Sequence, residues 1–94
     1  MISRVSATPT FERTIKKLRE RDKEIVNAAI RKIIINPKLG QQKKGELAGV
    51  FVNKFKVNKQ EILLSYKLID LQESSELVLL AIGTHQNFYL DMKR

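Results

Sequence analysis

Val50 to Ile69 reads VFVNKFKVNKQEILLSYKLI, and the fold turns on this stretch. Two runs rich in β-branched and aromatic residues flank the polar tetrad Asn58-Lys59-Gln60-Glu61, the pattern of a β-hairpin. A symmetric closure over two or four loop residues predicts one register: Lys56 opposite Leu63, Lys54 opposite Ser65, Val52 opposite Lys67 and Phe55 opposite Leu64. Side chains alternate between the faces of a strand, so one face gathers Phe51, Phe55, Val57, Ile62, Leu64, Tyr66 and Leu68 and is the predicted core. The other gathers Lys54, Lys56, Ser65 and Lys67 beside Val50, Val52 and Leu63. Ammonium groups clustered on one sheet face suit an anionic ligand, which makes this lysine face the candidate functional surface.

Downstream, Asp70 to Ser75 (DLQESS) reads as a turn and Glu76 to Ile82 (ELVLLAI) as a strand apolar on both faces, the mark of a position inside a sheet. Strict alternation sets Val78, Leu80 and Ile82 opposite Leu77, Leu79 and Ala81, leaving one set for a partner to cover. Gly83-Thr84 ends the strand, and His85 to Arg94 (HQNFYLDMKR) is either a short helix or a tail. Upstream, Pro37 to Gly49 (PKLGQQKKGELAG) reads as a loop pinned to the core by Leu39 and Leu47.

The N-terminal half supplies the second layer. Ile2 to Ala7 (ISRVSA) alternates apolar and polar and predicts a short edge strand. Thr8-Pro9 marks a helix start, with Thr8 as N-cap and Pro9 at the first helical position. Phe11, Ile15 and Leu18 then form one apolar stripe. Asp22 is the predicted cap of a second helix whose apolar positions are Ile25, Val26, Ala29, Ile30, Ile33 and Ile34, and Asn36-Pro37 stops it. The order strand, helical hairpin, loop, three-stranded antiparallel meander and C-terminal helix or tail predicts an α+β fold with the helices packed on the apolar sheet face.

At 94 residues the chain predicts a single domain spanning residues 1–94. Hydrophobic residues at 43% and charged residues at 30% fit a folded chain rather than a disordered one. Eighteen Lys and Arg against ten Asp and Glu give a net charge of +8, which favours polyanions or an acidic protein partner. The absence of cysteine excludes disulfides, thiolate nucleophiles and Cys-ligated metal. No apolar signal-like segment or membrane-length run is visible, so a cytoplasmic location away from membranes is the default expectation. No acidic cluster has metal-ligand spacing, and neither metal nor cofactor is expected.

The succession TPTFERTIKKL, an aliphatic helix ending in NPKLG, KGELAGVFVNKFKV, ILLSYKLI and LLAIGTHQNFYLDMKR resembles the RelE/ParE superfamily of bacterial type II toxin–antitoxin toxins over nearly the whole chain. The resemblance implies one of two activities. RelE-like members are ribosome-dependent mRNA endonucleases, whereas ParE-like members bind and poison DNA gyrase; both are neutralised by a cognate antitoxin. For the nuclease branch it implies catalytic roles for Lys54, Lys56, His85 and Tyr89, and phosphate binding by Lys44, Lys54, Lys56 and Lys67. Many members carry an arginine at the start of the strand corresponding to Glu61–Lys67; Ile62-Leu63-Leu64 stand there in this chain, so that phosphate ligand is missing.

Metal-free RNA cleavage removes the 2′-OH proton, drives that oxygen onto the adjacent phosphorus, and protonates the departing 5′-oxygen. General acid–base groups supply about 10²–10⁴-fold, and fixed cations stabilise the charge that builds on the phosphate. His85, the one histidine, is the side chain with an ordinary pKa near neutrality.

Overall fold

The computed structural model describes residues 1–43 and 49–84. Its elements are β1 (Ile2–Ala7), α1 (Pro9–Lys16), α2 (Glu20–Ile35), β2 (Gln41–Gln42), β3 (Phe51–Val57), β4 (Gln60–Asp70) and β5 (Ser75–Gly83). The strands form one mixed sheet in the order β1-β5-β4-β3-β2, with an antiparallel β3-β4-β5 meander and β1 parallel to β5. The α+β class, the helical pair and the meander stand as the sequence predicts, and β1 is an edge strand. The expected C-terminal helix or tail lies outside the described residues.

The central hairpin closes over Asn58 and Lys59, both at positive φ (52° and 69°), with Val57 paired to Gln60. Two consecutive residues at positive φ make the tight turn whose twist matches that of the strands it joins. Closure there moves the register by two from the expected one. Lys56 faces Glu61, Lys54 faces Leu63, Val52 faces Ser65 and Phe55 faces Ile62. Asn at the first position enters the left-handed region at low cost, which draws the turn one residue toward the N-terminus of the tetrad. An even shift leaves every side chain on its predicted face.

The main core lies between that face and the helices. Phe11 of α1 and Val26 and Ile33 of α2 pack with Phe51, Leu64, Tyr66, Leu77, Leu79 and Ile82. Membership of Ile82 corrects the expected alternation in β5. Ser65 pairs with Ala81 and Tyr66 with Leu79, so Leu80 is a bulge residue and the strand changes phase there. Leu77, Leu79 and Ile82 thus share the helix side, and Ala81 moves to the far side. The bulge is held by Thr8, whose hydroxyl donates to the Leu80 carbonyl at 2.6 Å and whose N–H donates to that of Leu79 at 3.0 Å.

Thr8 also caps α1 as expected, its Oγ1 accepting from Phe11 N at 3.2 Å, with Pro9 opening the helix. The expected cap of α2 is corrected: the helix starts at Glu20, Arg19 holds the N-cap position without a side-chain cap bond, and Asp22 lies within the first turn. Its carboxylate instead accepts from Asn58 Nδ2 at 3.3 Å, tying the helix start to the hairpin tip.

After α2 the chain crosses Tyr66 rather than hanging on Leu39, which is 45% exposed. The Tyr66 hydroxyl donates to Pro37 O at 2.8 Å and accepts from Gly40 N at 3.0 Å, while its ring stacks on Phe51 with centroids 5.3 Å apart. A Cβ on Gly40 would stand 2.9 Å from that hydroxyl and 3.0 Å from the Val52 backbone, so the close crossing requires glycine. Leu47 lies outside the described residues.

Candidate functional site

Lys54 and Lys56 alternate onto the sheet face turned away from the helices, and both are exposed. Two residues of extended chain separate their Cα atoms by about 7 Å. The corrected register gives them different neighbours. Lys54 has apolar Leu63 across the hairpin, whereas Lys56 has the carboxylate of Glu61 opposite it. Lys54 is therefore the ammonium group less opposed by nearby negative charge.

Lys67 shares the face and is exposed, but it pairs with Val78 four residues along β4 from Leu63. At strand rise and spacing its Cα is about 14 Å from that of Lys54, so the two lysines stand in separate rows of the face. Between them lie buried Val52, Leu63, Ser65 and Ala81. Val52, Leu63 and Ala81 form a second small apolar cluster with Val50 against it. The face is thus an apolar centre flanked by lysines rather than an unbroken cationic sheet. Period-two placement of Val50, Val52 and Leu63 beside the lysines was the sequence signal for this.

Gly83, where β5 ends, pairs with Leu63, which pairs with Lys54. These three positions form one row across the sheet, so the end of β5 lies about 10 Å from Lys54. His85 comes two residues later in the sequence. His85, Tyr89 and Lys44 lie outside the described residues.

Sequence reasoning missed a groove on the other side of Lys54. β2 covers β3 only at Phe51 and Val52, and beyond it the strand borders a cavity of about 430 Å³. Ile25, Ala28 and Lys32 of α2 form one wall, Leu39 contributes from the loop, and Asn53 to Lys56 form the other wall. Among the described residues, no acidic residue lines it. The ion pair found among the described residues, Lys23 with Glu20 at 3.6 Å, lies elsewhere on α2.

The family model described as "ParE-like toxin of type II bacterial toxin-antitoxin system" matches residues 5–93. The chain belongs to that family. The chain has the fold of several solved toxins. It superposes on a chain of the RelBE2 toxin–antitoxin complex of Mycobacterium tuberculosis with a TM-score of 0.71 and 25% identity, covering 90% of this chain and 100% of that one. For the YoeB/ParE toxin from Agrobacterium tumefaciens the values are 0.70, 18%, 87% and 98%. For the intact Escherichia coli RelBE complex they are 0.67, 16%, 86% and 94%. No curated protein sequence matches. The family match and these likenesses place the chain in the RelE/ParE superfamily of type II toxins.

Proposed function

We propose that this chain arrests growth by cutting mRNA on the ribosome and is held inactive by an acidic antitoxin. The observation that carries the reading is the placement of Lys54 and Lys56 on one exposed face, with Lys54 in the row where β5 ends just before His85. Lys54 holds the scissile phosphate as a point charge and Lys56 adds to the field at reduced strength because of Glu61. His85 moves the proton between the 2′-OH and the leaving 5′-oxygen, and Tyr89 assists it. Lys67 and Lys44 bind neighbouring phosphates of the same strand. The ribosome and mRNA as targets imply action in the cytoplasm. Solved relatives in complex with antitoxins support an antitoxin partner, and the +8 charge favours an acidic one.

The test is a translation reaction supplemented with purified protein. Synthesis should stop with cuts in mRNA at the ribosomal A site, and His85→Ala and Lys54→Ala should each lower cleavage by about 10²-fold or more while the protein stays folded. Intact mRNA in arrested or active ribosomes would overturn the reading. A second reading is favoured by the ParE-like family model and by Ile62-Leu63-Leu64 standing where nuclease members carry arginine: a toxin that traps DNA gyrase without chemistry of its own. DNA damage signalling with translation initially intact would select it.

A further inference from the structure

The helix wall of the groove is made of small side chains. Ile25, Ala28 and Ala29 fall at i, i+3 and i+4 on one face of α2, and Lys32 follows at i+7 on the same stripe. The two alanines leave open a space of about 430 Å³ between that face and β3. Opposite them, alternation turns Asn53 and Phe55 to the helix side, and both are half-buried. A core would not call for an amide there, because the other residues on that side of β3 are Phe51, Phe55 and Val57. The strand edge adds backbone groups. In a two-residue hairpin the pair beside the turn, here Val57 and Gln60, exchanges both backbone bonds, and Phe55 and Asn53 share that inward orientation. Lys54 and Lys56 therefore aim their N–H and C=O groups outward, and among the described residues β2 stops short of them.

We infer that the groove takes one unpaired base of a single-stranded RNA. Sites for single strands combine cations that follow the backbone with an aromatic surface on which a base lies, and both parts are present. Phe55 and Ile25 offer the apolar surface. The Asn53 amide and the outward N–H and C=O of Lys54 offer donors and acceptors to the base edge, while Lys32 and Lys56 meet the flanking phosphates. Charge selects this occupant: three lysines and, among the described residues, no carboxylate line the groove of a chain carrying +8. A second copy would bring its own lysines against these. The size agrees, since about 430 Å³ is the capacity of a small-molecule cleft. A smaller cavity near the hairpin tip, about 70 Å³ beneath Leu18 and Ile62, is lined by Asp22 and by no described cation, so it lacks these features.

This role rests on the ribonuclease reading and deepens it: with one phosphate on the Lys54 ammonium at the far face, the neighbouring nucleotide reaches the groove around the uncovered β3 edge, and its base governs which sequence is cut. The probe is a short single-stranded RNA with one central adenosine among uridines, 2′-O-methylated so that it stays whole, bound to the full chain and followed by fluorescence anisotropy. An abasic site in place of the adenosine should weaken binding by about tenfold. Ala28→Phe fills the groove and should erase that difference, leaving both strands equally weak. Asn53→Asp keeps the side-chain shape, so it serves even if Ala28→Phe fails to fold, and its carboxylate should cost about tenfold on the adenosine strand. Lys32→Ala should weaken binding more than Arg31→Ala, which removes the same charge one position outside the groove. Equal binding of the adenosine and abasic strands, no binding, or a preference untouched by both groove variants overturns the inference. Adenosine monophosphate competing as well as the RNA does so too, because it marks a site for free nucleotides. Ribosomal mRNA cleavage beside an indifferent groove leaves the ribonuclease reading standing without this inference, and base-dependent binding without cleavage does the reverse.

Discussion

Lys59 holds a φ of 69° in the hairpin turn, a region where a Cβ is strained and glycine is not. Lys59→Gly should therefore raise stability by about 1 kcal/mol, which urea unfolding would register as a higher midpoint at unchanged slope. Tyr66 presents the opposite case, a residue whose removal leaves others stranded. Its hydroxyl serves Gly40 N–H and Pro37 C=O at once, and Tyr66→Phe should cost about 1–3 kcal/mol. Burial raises the Tyr66 pKa above its ordinary value of 10.0, with the Gly40 N–H pulling the other way. The unfolded chain then loses the phenolic proton first as pH rises. Stability present below pH 10.0 should drain as the pH climbs toward the folded value, and Tyr66→Phe should lack that share of the loss in alkaline unfolding curves.

At the scale of elements, what the sequence disclosed and what it hid have separate physical causes. Periodicity reports which face a side chain takes, and the core face of the hairpin follows from it whether or not the register is known. Register depends on which residue of Asn58 to Glu61 accepts positive φ, a difference of about a kilocalorie that alternation does not encode. The bulge at Leu80 was invisible for a related reason. A run apolar on both sides gives no phase to violate, and Thr8, which holds the bulge, lies 72 residues away along the chain. For the site, the shared face of Lys54 and Lys56 was legible, while the opposition of Glu61 and the distance of Lys67 needed the register. The α2 start offers a check on local rules. Arg19 has the extended backbone of an N-cap (φ −70°, ψ 156°) but supplies no side-chain acceptor. Arg19→Ser should add about 0.5–1 kcal/mol, seen as a higher thermal midpoint.

Taken whole, the molecule sets a strong positive field against a modest number of contact lysines, so its encounters with RNA or with an acidic partner should be salt-dependent. Raising ionic strength from about 50 to 200 mM should slow association far more than it speeds release, because screening acts on long-range approach more than on contacts already made. Stopped-flow rates at several salt concentrations would separate the two. The parallel pairing of β1 with β5 carries a further consequence for how such a chain comes into being. The strand synthesised first has to wait for one that emerges about seventy residues later, an interval of roughly 4–14 s at ordinary elongation speeds. During that interval Ile2 and Ala7 have no ladder to join, and Thr8 lacks the carbonyls of Leu79 and Leu80 that steady the first helix. Fragments ending before Ser75 should consequently lack a protected sheet at both ends of the chain. A newborn copy cannot close its sheet until β5 has left the ribosome.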